Sequence, residues 1–331
     1  LKDLETFYNK TTTSDDLKTD ILLAIQDIES EKSLPLYNKL LFSNPPTQES
    51  SYEYSLLRPF RDSLNYTLEN YNKLLTLLPI TQYRDDLIYI SNDLYDSGLD
   101  TENVIVSNYN KILDYLTKDA EVYFNLPPLS DENENEYDYT YYGIMVAYLS
   151  SFNTVKYDDS ISNAFTSKLL KEDDYDKWLR LLAITARVYN NYAISDTLLH
   201  DYLENKYFRF EIMEAFHKIN TLEAIDKKYL KEKEFAKLSF YNYVGEDGGY
   251  PDDITLLKNI KKDNAEFYAV KFDYIDEASN ETTSYLGIVG PVEKVAQTTE
   301  FKMYDSYTYW DEYDGEWEAK IESLITDFLE L

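Results

Sequence analysis

Hydrophobic positions in the first three quarters of the chain recur with a period close to 3.6 residues, and in the last quarter the period falls to 2. In TENVIVSNYNKILDYL, Ile105, Tyr109, Ile112 and Leu116 stand at i, i+4, i+7 and i+11, which places them on one face of a helix. The preceding YRDDLIYISNDLYDSG carries Leu87, Ile90 and Leu94 and stops at Gly98, a residue that takes a positive φ at low cost and so suits a helix end. Asp100 is placed to cap the next helix, and two helices joined by so few residues must fold back as a hairpin. Ile21, Ile25 and Ile28 mark an earlier helix, and Leu64, Leu74, Leu75 and Leu77 another. Trp178, Leu181, Thr185 and Val188 predict a later helical stripe, followed closely by SDTLLHDYLEN and RFEIMEAFHKI.

These segments number roughly ten to twelve, with short links and no strict repeat of sequence. The expected class is mostly α: an irregular HEAT/TPR-like helical repeat, either an α-solenoid or a multi-helix bundle, over residues 1–243. A small α+β domain with an antiparallel sheet is expected over 244–331. Glycine usage changes at the same place, because only Gly98 and Gly143 precede residue 244 and six more follow it. The segment GEDGGYPDD at 245–253 reads as the break, with Pro251 or Asp252 opening a short helix through Leu257.

Beyond it, Tyr268, Val270, Phe272 and Tyr274 alternate with Phe267, Ala269, Lys271 and Asp273, which is the pattern of a strand. TSYLGIVGPV predicts a second strand and FKMYDSYTYW, residues 301–310, a third. The chain closes on a helical stripe of Trp317, Ile321, Leu324 and Phe328, capped by Asp314 and expected to cover one face of the sheet.

Charge narrows the functions. The 62 acids against 32 bases leave a net charge of −30, which repels phosphate backbones and anionic lipid surfaces, so no nucleic-acid partner is expected. A protein partner, basic or set within a multi-subunit envelope complex, is favoured instead, with salt-dependent association. No cysteine is present, which removes disulfides, thiolate nucleophiles and thiolate-bound metals. No apolar run approaches the roughly 20 residues a membrane-spanning helix needs. The opening LKDLETF has neither an initiator Met nor a signal peptide and reads as the start of a piece of something longer.

Candidate chemistry is sparse. LPPLSDENENEYDYTYYG, residues 126–143, reads as an exposed interhelical loop leading into a helix near Thr140; its carboxylates are hard oxygen ligands, but they lack calcium-loop spacing. YWDEYDGEWE also fails that spacing, since Gly315 in the glycine position would make Trp310 the first ligand. His200 and His217, the only histidines, lie on separate predicted helices, and His200 reads as a surface residue among acids. HExxH, GxSxG and glycine-rich phosphate loops are absent, so no catalytic residue, metal or cofactor is assigned and the chain is read as non-enzymatic. NKT at 9, NYT at 65 and NET at 280 fit the glycosylation pattern. Thirty-four tyrosines supply stiff contact area with polar tips, and Tyr137, Tyr139, Tyr141 and Tyr142 form the binding surface the sequence suggests. A glycan-binding surface protein using tyrosine-rich helices is the alternative; three tryptophans and eight glycines are few for a sugar platform.

The succession SLPLYNKLLFSNPP, SSYEYSLLRPFRDSL, SDTLLHDYLEN, FAKLSFYNYV and EFYAVKFDY…YLGIVGPV resembles the C-terminal helical region of large Bacteroidetes-type proteins of the TraB/GumN class. In that class the hydrolase chemistry belongs to a separate N-terminal domain, whose glycine/histidine and glutamate/histidine motifs have no counterpart here. The resemblance therefore implies a non-catalytic helical tail, a scaffold of a bacterial cell-envelope protein, in an extracytoplasmic setting.

Overall fold

A computed structural model describes the chain except for residues 11, 29–31, 48–55, 101, 128–138, 155–158, 172–175, 231–253, 263–264, 276–281, 290–310, 314–316 and 331. The protein is mostly α, with a small antiparallel sheet near its C-terminus, and it packs as two compact units, Leu1–Asn190 and Asn191–Leu331. The change of period expected at 243/244 falls within the undescribed stretch 231–253. By their contacts, the helices over 196–218 group with the sheet.

The first unit holds α1 (Lys2–Tyr8), α2 (Asp15–Gln26), α3 (Ser33–Ser43), α4 (Arg58–Arg61), α5 (Leu64–Leu74), α6 (Arg84–Asp96), α7 (Val104–Tyr123), α8 (Tyr139–Thr154), α9 (Asp159–Leu169) and α10 (Lys177–Tyr189). The α6–α7 connection forms as its residues dictate. Gly98 takes φ +67°, and the Asp100 carboxylate accepts from the Val104 and Ile105 amides at 2.7 and 2.8 Å, supplying two of the partners that the first turn of α7 lacks. Ile105, Tyr109, Ile112 and Leu116 all turn inward.

Helices α6, α8 and α10 pack as successive neighbours, with α7 and α9 also against them. The tenth helix is buried on every side from Leu179 to Val188, as expected of a helix inside a core. Trp178 departs from its predicted stripe. It stands in the first turn, before the helix enters the core, and its side chain is exposed. Ile28 is likewise exposed, because α2 ends at Gln26.

Tyrosines do much of the internal fastening. The hydroxyl of Tyr8 donates to the Asn44 carbonyl at 2.7 Å, that of Tyr83 to the Pro46 carbonyl at 3.0 Å, and that of Tyr148 to the Ile112 carbonyl at 3.1 Å; Tyr37 reaches the Leu56 carbonyl. Each ring fills core volume while its tip satisfies a main-chain oxygen 19 to 37 residues away. At the junction of α6, α7 and α8, the buried Arg84 guanidinium bonds Asp119, donates to the Leu78 carbonyl at 2.9 Å and lies 4.5 Å from the centre of the Tyr115 ring.

The second unit contains α11 (Asp196–Glu204), α12 (Arg209–Lys218), strands β1 (Ile254–Lys262), β2 (Ala265–Ile275), β3 (Thr282–Val289) and β4 (Asp311–Glu312), and α13 (Trp317–Glu330). The strands pair antiparallel in the order 1-2-3-4. The short helix expected through Leu257 is instead β1. Its residues are claimed by β2, against which Ile254 faces Phe272 and Leu256 faces Val270.

A bulge at Leu257 shifts the register, so Lys258 opposes Ala269. Even-numbered residues therefore change faces: Ile254 and Leu256 join Tyr268, Val270 and Phe272 on one side, while Leu257 and Ile260 join Phe267 and Ala269 on the other. The α13 residues Ile321 and Ile325 cover that second face, as the sequence expected of this helix. Lys258 and Lys262, carried to the same face by the bulge, reach Glu318 at 3.1 Å and Thr326 on α13. The expected third strand at 301–310 and the Asp314 cap lie outside the described residues.

Candidate functional site

The acidic loop singled out by the sequence lies within 128–138 and so outside the described residues, as does Tyr137. Its other three tyrosines open α8, which begins at Tyr139, one residue before the start expected from the sequence. Helical geometry then sorts them. Tyr139 and Tyr142, three apart, meet edge to face with ring centres 6.5 Å apart; Tyr139 is exposed, whereas Tyr141 and Tyr142 are half-buried against the core.

A fourth aromatic residue comes to this place from α10. Asp176 is the N-cap of that helix, and its Oδ1 accepts from the Trp178 amide at 2.9 Å and the Leu179 amide at 3.1 Å. The same oxygen accepts from the Tyr142 hydroxyl at 3.2 Å. One carboxylate thus ties the first turn of α8 to the first turn of α10. Around it, Trp178 is 41% exposed and Tyr139 38%, although both are large and largely apolar.

The sequence suggests Tyr137, Tyr139, Tyr141 and Tyr142 and places Trp178 in a helical stripe with Leu181, Thr185 and Val188. Two signals could have separated it: its position two residues after a capping Asp, and the ten consecutive buried residues that follow it and already fill the helix's circumference. What this arrangement can do chemically is bind. It presents stiff aromatic area with indole and phenol tips, and the hydrogen bonds at Asp176 keep the two helix starts in place.

The remaining candidates are spread out. His200 is exposed and lies 3.8 Å from Glu204 one turn along α11; His217 closes α12. Glu204 also accepts from Lys228 and from Tyr229, and the Lys228 bond holds its carboxyl down to about 2. Among the described residues, no group of three or more His, Cys, Asp or Glu side chains is arranged to hold a metal ion.

Among the described residues two acids are perturbed upward, both at helix contacts. Asp85, in the first turn of α6, has Oδ2 facing Gly143 of α8, where any larger residue's Cβ would meet it at 3.5 Å; burial, reinforced by the charge of Asp86, pushes its carboxyl up to about 6. Burial likewise pushes Asp119 up to about 6, against the opposing pull of Arg84. Neighbouring residues 84 and 85 thus place one ion pair and one acid with a raised carboxyl at adjoining helix contacts.

Among the described residues, no helix is long and apolar enough to cross a membrane. Comparison with family models, curated proteins and solved structures finds no match to this chain.

Proposed function

We propose that the chain is a non-catalytic protein-interaction module of a larger assembly, and that Tyr139, Tyr142 and Trp178 form the face it offers to a partner. The observation that carries this reading is the exposure of Trp178 and Tyr139 beside a carboxylate that braces both helix starts. Tryptophan and tyrosine are among the side chains that most often dominate binding energy at protein interfaces, and helix starts already held in place lose less freedom when a partner docks. The net charge of −30 supports a basic partner and an association rate that falls as salt rises. The cell-envelope setting rests on the resemblance described above and on a composition without cysteine.

The test is affinity purification of the tagged chain from native envelope, repeated with Trp178→Ala and with Tyr139→Ala. A stoichiometric partner should be retained by the parent, and Trp178→Ala should weaken it by roughly thirtyfold, the effect of losing about 2 kcal/mol at an interface anchor. Retention unchanged in both variants would remove this face from the interaction.

A further inference from the structure

We propose that a groove in the first unit, walled by α3, α4, α5 and the end of α2, is a binding site for an acidic saccharide of the hexuronate type. It is built from elements other than those of the aromatic face on α8 and α10 and stands independently of that reading. Its volume of about 1140 Å³ exceeds the roughly 300–1,000 Å³ usual for compact small-molecule sites, which fits a chain of several rings.

The lining supplies the three kinds of contact that a uronate needs. For the ring face there is Tyr66, whose own ring is fixed by stacking on Phe60 at 5.4 Å and 15°, with Phe42 beside it in the lining. For hydroxyls there is the carboxamide of Asn70, which both donates and accepts and so matches neighbouring sugar hydroxyls, while the Asn38 amide bonds the Tyr66 hydroxyl and holds that ring's tip. Asn70 is held in position by donating to the Tyr66 carbonyl at 2.9 Å, and the carbonyl oxygen of Asn38 is buried with no partner among the described residues.

For the carboxylate there is Lys73. The other cations of the groove are matched by acids: Lys39 lies 2.6 Å from Glu5, and Arg58 lies 3.5 Å from Asp62. Lys73, among the described residues, meets only the neutral Asn70 carboxamide, at 3.1 Å. In a chain with nearly two acids for every base, a groove lysine left to a neutral partner is a place where a ligand can bring the negative charge.

The walls argue against a peptide in the same place. An extended peptide binds through its main chain to an open sheet edge, whereas helix walls have their own amides and carbonyls already bonded. A docking helix would need apolar ground where Asn38, Asn70 and Lys73 stand.

Calorimetric titration of the full chain at 0.15 M salt, where long-range charge is largely screened, decides the matter with three probes: trigalacturonate, neutral maltotriose and triglutamate. Trigalacturonate should bind, with the other two at least about tenfold weaker. Lys73→Ala should lose roughly tenfold in affinity for trigalacturonate, the worth of one charge-assisted bond, and Lys73→Arg should keep most of it. Far-UV circular dichroism of both variants should superpose on the parent, since the side chain is exposed. No heat with trigalacturonate would overturn the proposal, and so would equal binding of maltotriose. Triglutamate binding as tightly would make the groove a peptide site, and an unchanged Lys73→Ala would show that the carboxylate is not read there.

Discussion

The two units are held together by different means. In the sheet of the second, Val270, Phe272 and Val289 lie on one face and Ala269, Leu286 and Ile288 on the other, under Ile321 and Ile325 of α13, an interior built mainly from apolar side chains whose strand residues are sorted by alternation. The first unit has an apolar core as well, but threads it with polar fastenings: tyrosine hydroxyls on distant carbonyls, a buried Arg84–Asp119 pair and a half-buried Asp85. Apolar packing alone tolerates neighbouring arrangements of a helix, whereas a hydroxyl that must find one particular carbonyl does not. Tyr8, Tyr37, Tyr83 and Tyr148 therefore serve to fix how the elements of the first unit seat against one another. Tyr139, at a helix start, is instead exposed and remains for binding.

The sharpest break in that contrast is Arg84→Met. It removes the cation from Asp119 and the donor from the Leu78 carbonyl, leaving a buried charge uncompensated, and should cost about 3–5 kcal/mol in urea unfolding at pH 7. Because burial already raises the Asp119 carboxyl to about 6, the acid can escape by taking a proton, so the cost should shrink at pH 5. Ile325→Ala in the second unit provides the comparison, with about 2–4 kcal/mol lost from cavity and transfer terms and the same loss at both pH values. Equal pH behaviour of the two variants would erase the distinction between the units.

The parts of this fold that were legible in the sequence are those where one local rule acts unopposed. The 3.6 period of α7, the stop at Gly98, the Asp100 cap and the alternation of β2 depend on neighbours in the chain, and all appear as expected. β1 was not legible. ITLLKNIKK carries apolar residues at 254, 256, 257 and 260, a helix-like spacing that arises because the bulge at Leu257 reverses the faces of a strand, and only pairing with β2 discloses it. Trp178 was misplaced for a related reason: periodicity tells which residues share a face, but not where along the helix the core begins. The groove and the Arg84–Asp119 pair join residues far apart in sequence, such as 38 with 66 and 84 with 119, and no local pattern records such meetings.

A smaller effect separates the units through titration. Asp85 has its carboxyl raised from 3.8 to about 6, so the folded state holds that proton more tightly than the unfolded chain does. Stability therefore falls as pH rises from about 4 to about 6, and above that the full penalty remains. Asp119 acts in the same direction, whereas Asp15, held down to about 2 chiefly by its bond from Thr47, and Glu204 lose their contributions only as pH drops below about 4. The protein should be more stable near pH 4.5 than at pH 7. Asp85→Asn, which keeps an oxygen for the Asp86 amide, should gain about 2 kcal/mol at pH 7 and flatten the profile. A variant less stable than the parent at pH 7 would show that the ionised carboxylate is wanted at the α6–α8 contact.

The finest distinction concerns what one tyrosine tip is worth. Tyr71 is fully buried, and its hydroxyl lies 2.9 Å from Ser91 Oγ, an interaction wholly within the core; burial, the largest influence, pushes the phenol up to about 12, so it stays protonated through the whole stable range. Tyr71→Phe keeps the ring and deletes only that contact. Ser91 would not be stranded, because its hydroxyl also donates to the Leu87 carbonyl at 2.6 Å. The expected loss is about 1 kcal/mol, the net value of a single internal hydrogen bond, with no pH dependence between 4.5 and 7. A helix seated by its tyrosine tips should register the deletion in order as well as in energy, through faster amide exchange at α5 and α6 beyond what 1 kcal/mol of global destabilisation produces. Exchange that rises only by the global amount would mean that ring packing seats the helices and the hydroxyls merely avoid being buried without partners.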